Sequence, residues 1–157
     1  MYLVFGFIFC LLLFIDIVTK VIASQITKPI VVIPNFFKLV YLENKGAAWG
    51  IGQDNTVLFA IISIIFILSV IIFLCFFEVK DKIIFYSIAA IFAGAVGNCF
   101  DRVFNGYVID FFDFHILGYD FPVFNIADVC IVVGMICVMF EILTNNKELI
   151  VRRKKHV

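Results

Sequence analysis

The chain has 157 residues, 12 acidic and 12 basic side chains, no net charge, and 64% hydrophobic residues, 21 of them Phe. A water-soluble domain is only about half apolar, so there are too few polar side chains to cover a water-facing surface, which excludes a soluble globular protein. Zero net charge gives no electrostatic footprint for nucleic acid, and one membrane-embedded domain over residues 1–157 is the expected organisation.

Tyr2 to Ile15 is uninterrupted apolar sequence that resumes after Asp16 through Ile22. About 20 residues suffice to cross a bilayer. A cleaved signal peptide would carry positive charge ahead of its apolar core, and no Lys or Arg precedes Lys20. Residues 2–22 are therefore predicted as the first span. Asp16, Thr19 and Lys20 share a helix face by their i, i+3, i+4 spacing. A snorkelling lysine paired with Asp16 and a supporting role at a site are compatible readings.

Residues 24–54 differ in character. Pro29, Pro34 and the segment VVIPNFFKLVYLEN, rich in β-branched and aromatic residues, predict short strands at the membrane surface. Asn44-Lys45-Gly46-Ala47-Ala48-Trp49-Gly50 follows. It reads either as a place of close backbone approach or as a tight turn with an interfacial Trp49. Residues 55–77 carry no charge over 23 positions and form the clearest span.

Glu78 to Lys82 is a short polar connection, and residues 83–100 are the third span. Its Ala89, Ala90, Ala93, Gly94, Ala95 and Gly97 make a small-residue face for close helix packing in lipid. Asn98, Asp101 and Arg102 close it on one face, with Asp101 and Arg102 expected to pair at the helix end. Residues 105–120 read as a loop turning at Gly106 and Gly118. Residues 121–143 form the fourth span, with Pro122 in its first turn, which puts Asp128 roughly 10 Å along the helix. Residues 145–157 are a polar tail.

The predicted fold class is an all-α integral membrane protein with four transmembrane helices and a small extracytoplasmic β-rich segment. Lys80, Lys82, Lys147, Arg152, Arg153, Lys154 and Lys155 fall on the side of the termini. The positive-inside rule then puts both termini in the cytoplasm, with segments 24–54 and 105–120 outside.

The cysteines (Cys10, Cys75, Cys99, Cys130 and Cys137) lie in apolar runs without a CxxC pair. They read as small buried hydrophobes rather than zinc ligands or a disulfide framework. A Cys130–His115 enzyme has little support.

Between Gly97 and Asp128 stand five aspartates: Asp101, Asp110, Asp113, Asp120 and Asp128. Carboxylates beside lipid are costly and mark chemistry or transport. Two held close share a proton, so that one can activate water while the other polarises a carbonyl. No metal or cofactor is then required. The residues alone leave the pair open. Asp128 is the most buried by its expected position, Asp110 has apolar neighbours, Asp113 and Asp120 sit in the expected loop, and Asp101 has Arg102 beside it.

The motifs resemble the lipoprotein signal peptidase (signal peptidase II) family over nearly the whole chain. DIVTK at 16–20 resembles its D-x-x-[ST]-K, NKGAA at 44–48 its N-x-G-A-A, GNCFDR at 97–102 its G-N-x-x-D-R, VIDF at 108–111 its V-x-D-F, and FNIAD at 124–128 its F-N-x-A-D. The resemblance implies a bacterial inner-membrane aspartyl endopeptidase that cuts prolipoproteins before a cysteine carrying diacylglyceryl. Asp110 and Asp128 would be catalytic. Asn44, Gly46, Asn98, Arg102 and Asn125 would line the substrate site, and Asp16, Lys20 and Asp101 would support it. The family's extracytoplasmic β-cradle and surface helix match segment 24–54. Membrane lipid and globomycin-type inhibitors are the further partners implied. The rival readings are a proton-coupled transporter or channel, a non-catalytic membrane scaffold and, within the enzyme class, an Asp101–Asp128 dyad.

Overall fold

A computed structural model describes residues 1–47, 51–144 and 149–152. Trp49, Gly50 and Ala48 of the expected turn, and most of the basic tail, lie outside the described residues. Among the described residues four helices are long and apolar enough to cross a membrane: α1 (Tyr2–Ala23), α2 (Thr56–Phe76), α3 (Lys82–Phe104) and α4 (Ile126–Thr144). The burial of α1 is the inverse of that in a soluble bundle. The buried residues of α1 are Asp16, Lys20 and Ala23, while Leu3, Phe7, Phe14 and Ile22 are exposed. Apolar side chains face outward because lipid is their solvent, and polar ones turn inward, where they find partners.

α3 is the central helix and packs on the other three. Its small-residue face is what allows this. A Cβ on Gly94 would run into the carbonyl oxygen of Ala127, and one on Gly97 would run into the Asp16 carboxylate. α3 and α4 therefore meet at backbone distance at Gly94 and Ala127, and the Asp16 side chain of α1 lies against Gly97.

At the end of the bundle where α1 and α3 finish and α2 and α4 begin sits a four-stranded antiparallel sheet. Its strands are β1 (Ile30–Ile33), β2 (Phe37–Asn44), β4 (Val108–Ile116) and β5 (Tyr119–Asp120), in the order β1-β2-β4-β5. The expected strands in 24–54 are thus present and pair with each other, but β2 also pairs with β4, in residues that were expected as loop. β4 carries no alternating signal, since its burial runs from a buried half to a half-buried one, and Asp113 among its phenylalanines reads as a loop carboxylate. Leu42 pairs with Asp110 and Lys38 with Asp113, and the Lys38 ammonium lies 3.7 Å from the Asp113 carboxylate.

At the other end, β3 (Phe77–Val79) pairs antiparallel with β6 (Ile150–Arg152). The expected polar connection and the start of the tail are thereby joined, because Ile150 and Val151 are β-branched and give their backbone a partner.

Two helix boundaries correct the sequence reading. α3 runs on to Phe104, so Asp101 and Arg102 lie within it. α4 starts at Ile126, and residues 121–125 are extended, with Phe124 bridged to Phe112 of β4. Pro122 precedes the helix. Asp128 is therefore in the first turn of α4 rather than 10 Å along it.

Filling the α3–α4 contact should be costly. Gly94→Ala is expected to lower stability by about 1–3 kcal/mol through overpacking, whereas Gly6→Ala on α1, where a Cβ meets nothing within 4 Å, should not. Thermal unfolding of the two variants in one detergent checks this.

Candidate active site

Asn125 and Asp128 are spaced as N-cap and N3, and they cap α4 reciprocally. The Asp128 N–H donates to Asn125 Oδ1 (3.0 Å), and the Asn125 N–H donates to Asp128 Oδ2 (3.1 Å). This satisfies two N–H groups that a helix start leaves free, and it puts a carboxylate at the positive end of the helix dipole. The N-x-x-D spacing is the sequence signal that would have placed the helix start correctly.

β4 brings Asp110 to the same place. Its Oδ1 accepts from Asn125 Nδ2 (2.7 Å), and its Oδ2 accepts from Asn44 Nδ2 (2.8 Å) at the end of β2. Asn98 of α3 donates from Nδ2 to Asp128 Oδ1 (2.8 Å). Asn125 thus ties the Asp110 carboxylate to the Asp128 backbone. With no exposed surface (0%), it braces the two aspartates from behind instead of lining the cavity in front.

Gly46 also acts through its backbone. Its N–H closes a turn onto Asn44 Oδ1 (3.0 Å), and its carbonyl accepts from Arg102 Nη2 (3.3 Å). A side chain at Gly46 would run into the Ile51 carbonyl.

Asp110 is more buried (2%) than the half-buried Asp128, the reverse of the order expected from the sequence. Burial, and then the charge of Asp128, push the Asp110 carboxyl up to about 7, against the pull of the Asn44 and Asn125 hydrogen bonds and of Lys20.

Both aspartates face a cavity of about 840 Å³. Its polar end is Asn44, Asn98, Arg102, Asp110 and Asp128. Its walls are apolar: Ile62 and Phe66 of α2, Ala95 of α3, Val129 and Val132 of α4, and Phe121 to Phe124 ahead of α4. Arg102 stands over the Phe59 ring (5.7 Å) and interacts electrostatically with both aspartates. Its Nε has no hydrogen-bond partner among the described residues. The α2 wall was missed in sequence, because a helix without charges carries no mark of which residues face inward.

Asp101, the alternative partner, is elsewhere. Its carboxylate binds Lys20 Nζ (2.9 Å), the Ile109 N–H (3.3 Å) and Asn105 Nδ2 (3.1 Å). Its ion pair is with Lys20 of α1 and not with the neighbouring Arg102. Lys20 is 3% exposed, so it does not snorkel. It pairs with Asp16 as expected (2.9 Å). Asp113 and Asp120 flank His115 on the sheet, which occupies the imidazole there. Among the described residues no cluster of His, Cys, Asp and Glu could hold a metal.

The sequence model of the family described as Signal peptidase (SPase) II matches residues 8–144. The chain belongs to the signal peptidase II family. Among its relatives are the lipoprotein signal peptidase of Clostridium acetobutylicum, 38% identical over 139 residues (85% of this chain, 90% of that one), and that of Staphylococcus aureus strain MRSA252, 40% identical over 145 residues (82% and 86%). Two solved structures of a bacterial membrane enzyme, obtained by the in meso method at 2.3 and 1.9 Å resolution, are similar in fold. They superpose with TM-scores of 0.80 and 0.77 at 37% identity, covering 92% and 91% of this chain and 92% and 94% of theirs. This member of the signal peptidase II family is thus a membrane-protein peptidase by kinship, with a cavity built around two carboxyl groups.

The raised Asp110 value has a consequence for stability. In the unfolded chain the carboxyl titrates near 3.8, and in the fold near 7. The folded state binds the proton more tightly, so this stabilisation is complete below the unfolded value and is lost as pH rises through about 7. Asn at this position does not titrate. The melting temperature of Asp110→Asn relative to the unmodified protein should therefore climb between pH 4 and 8, whatever fixed offset the lost hydrogen bond leaves. Melting curves at pH 5, 6 and 8 measure it.

Proposed function

We propose that this protein is an aspartyl endopeptidase of the bacterial cell membrane that removes the signal peptide from diacylglyceryl-modified prolipoproteins, cutting before the lipidated cysteine. The observation that carries this reading is the convergence of Asp110 and Asp128 on the polar end of an otherwise apolar cavity. Family membership supplies the reaction class.

The two carboxyls hold one proton between them, and burial makes Asp110 the side that retains it. Water bound between them gives up a proton to the dyad as its oxygen attacks the scissile carbonyl, which the protonated carboxyl polarises. The C–N bond then breaks, and the amine leaves with a proton from the dyad. The products are a signal peptide ending in a carboxylate and a lipidated cysteine with a free amino group. Asn44, Asn98 and Arg102 are placed to hold the substrate backbone, with Gly46 shaping the Asn44 turn. Asn125 fixes the dyad, and Asp16, Lys20 and Asp101 support it. No metal or cofactor is needed for this chemistry.

The apolar walls suit a signal helix and acyl chains entering from the bilayer, where each buried CH₂ contributes roughly 0.8 kcal/mol. In this reading the sheet end faces outward and both termini face the cytoplasm. Globomycin-type inhibitors would compete for the same cavity. The saturated Asp101 carboxylate, turned to Lys20, favours Asp110 over it as the partner of Asp128.

Cleavage of a diacylglyceryl-modified prolipoprotein by the purified protein in detergent tests the reading. Folded Asp110→Asn and Asp128→Asn should each lose activity by at least about 1,000-fold, in the range seen when members of a catalytic unit are removed, and a non-lipidated precursor should be cut far more slowly. Activity retained in either variant would remove that residue from the dyad. Because the dyad needs its shared proton, kcat/KM should fall as pH rises through about 7, and a rate flat from pH 6 to 9 would count against the mechanism.

A further inference from the structure

We propose, on the reading of Asp110 and Asp128 as the dyad, that Lys20 is a positioning residue: its ammonium fixes which way round the Asn98 amide sits, and so presents the Asn98 Nδ2 to Asp128.

A carboxamide has a donor end and an acceptor end of nearly the same shape, so only its hydrogen-bond partners decide its orientation. Lys20 can only donate. Its ammonium donates to Asn98 Oδ1 and forms ion pairs with Asp16 Oδ2 and Asp101 Oδ2, each at 2.9 Å. Asn98 Oδ1 is thereby committed to the lysine, and Nδ2 is left to face Asp128 Oδ1 at 2.8 Å. Turned over, Asn98 would set its NH₂ against the ammonium and against Asn125 Nδ2, which now donates to Asn98 Oδ1 at 3.1 Å, and it would set its carbonyl against the Asp128 carboxylate.

The Asn125 amide is oriented independently. Its Oδ1 takes the Asp128 N–H (3.0 Å), and its Nδ2 serves Asp110 Oδ1 (2.7 Å) and the Ile109 carbonyl (3.3 Å). Asn125 divides its two protons among three acceptors. The charge-assisted bond from Lys20 is therefore the stronger hold on Asn98.

Lys20 also touches the dyad's proton. Its charge favours the ionised form of Asp110, which Asp128 of α4 opposes. Arg102 of α3 interacts with both aspartates, Asn44 of β2 is neutral, and Asp16 and Asp101 surround the lysine itself. Loss of Lys20 frees the Asn98 amide and removes a positive charge on the Asp110 side. A purely architectural lysine would change the amount of folded protein and leave the pH profile of the folded fraction alone.

The test uses the full-length protein in detergent. Lys20→Met alone would strand two buried carboxylates, so the first variant is the charge-balanced Lys20→Met/Asp16→Asn, in which Asp101 keeps its bonds from the Ile109 N–H and Asn105 Nδ2. Lys20→Arg, which keeps the charge but spreads its donors over a planar fork, is the second variant and serves where the first is unstable. The probes are cleavage of a diacylglyceryl-modified prolipoprotein across pH, and pH-difference infrared spectra of the protonated carboxyl band, assigned to Asp110 by its loss in Asp110→Asn. In the double variant, per folded molecule, kcat should fall on the order of 10- to 100-fold, as for a small misplacement of reacting groups. KM should stay near that of the unmodified protein, and the alkaline limb and the Asp110 band should both move to higher pH. Lys20→Arg should lower kcat with the limb in place. A kcat within about twofold of the unmodified protein in either folded variant, or an unmoved limb and band in the double variant, would overturn the role of Lys20 and leave the dyad standing. Full cleavage by Asp110→Asn would overturn the dyad, and this proposal with it.

Discussion

One ammonium group, that of Lys20, sits inside a bundle whose solvent is lipid, and the arrangement around it follows from what such a charge requires. An unpaired buried charge is strongly destabilising, so it is ion-paired with Asp16 and Asp101 and donates to Asn98 Oδ1. The two carboxylates also accept from backbone. Asp16 Oδ1 accepts the Ala127 N–H (2.9 Å), and Asp101 accepts the Ile109 N–H. A single charge therefore holds α1 to α3, and through its carboxylates it fixes the start of α4 and the root of β4. Those are the two elements that carry Asp128 and Asp110.

Such a cluster can form only if the helices approach closely enough for short side chains to reach. Gly94, Gly97 and Ala127 give that approach. Without a hydrophobic driving force between helices in lipid, close packing and satisfied polar groups do the work that an apolar core does in water. The apolar residues are freed to form the outer surface and the walls of the cavity. The small residues of α3 and the polar cluster beside them are two parts of one packing solution.

The proton affinity of Asp110 follows from the same geometry. Asp110 is nearly sealed, beside a second carboxylate, and given hydrogen bonds by two neutral amides instead of by a cation. Burial and like charge raise its carboxyl to about 7, and the amides and the more distant Lys20 moderate the rise. A direct ion pair would have driven the proton off. The amide shell holds the carboxyls in place without doing so.

Membrane residence, the four spans and the candidate site residues were legible in the chain, because each rests on local information: run length, the absence of charge, and short motifs around Asp16, Asn44, Asn98, Asp110 and Asp128. The start of α4 was legible in principle through Asn125 and Asp128, but Pro122 and the continuous apolar run drew the helix five residues too early. Strand β4 was hidden because its partners lie on β2 and in residues 121–125, and strand pairing is a non-local property. The partner of Asp101, the depth of Asp110 and the bracing role of Asn125 were not legible. Neighbours in sequence such as Asp101 and Arg102 point to different places on a helix, and burial is decided by what other elements lay over a residue. Residue types and spacing thus determine the solvent of this protein, its spans and its set of carboxyls and amides. The packing of α1, α3, α4 and the sheet decides which carboxyls meet, which is paired to a lysine and which keeps a proton, because charge pairing and desolvation depend on distances in space that sequence separation does not encode.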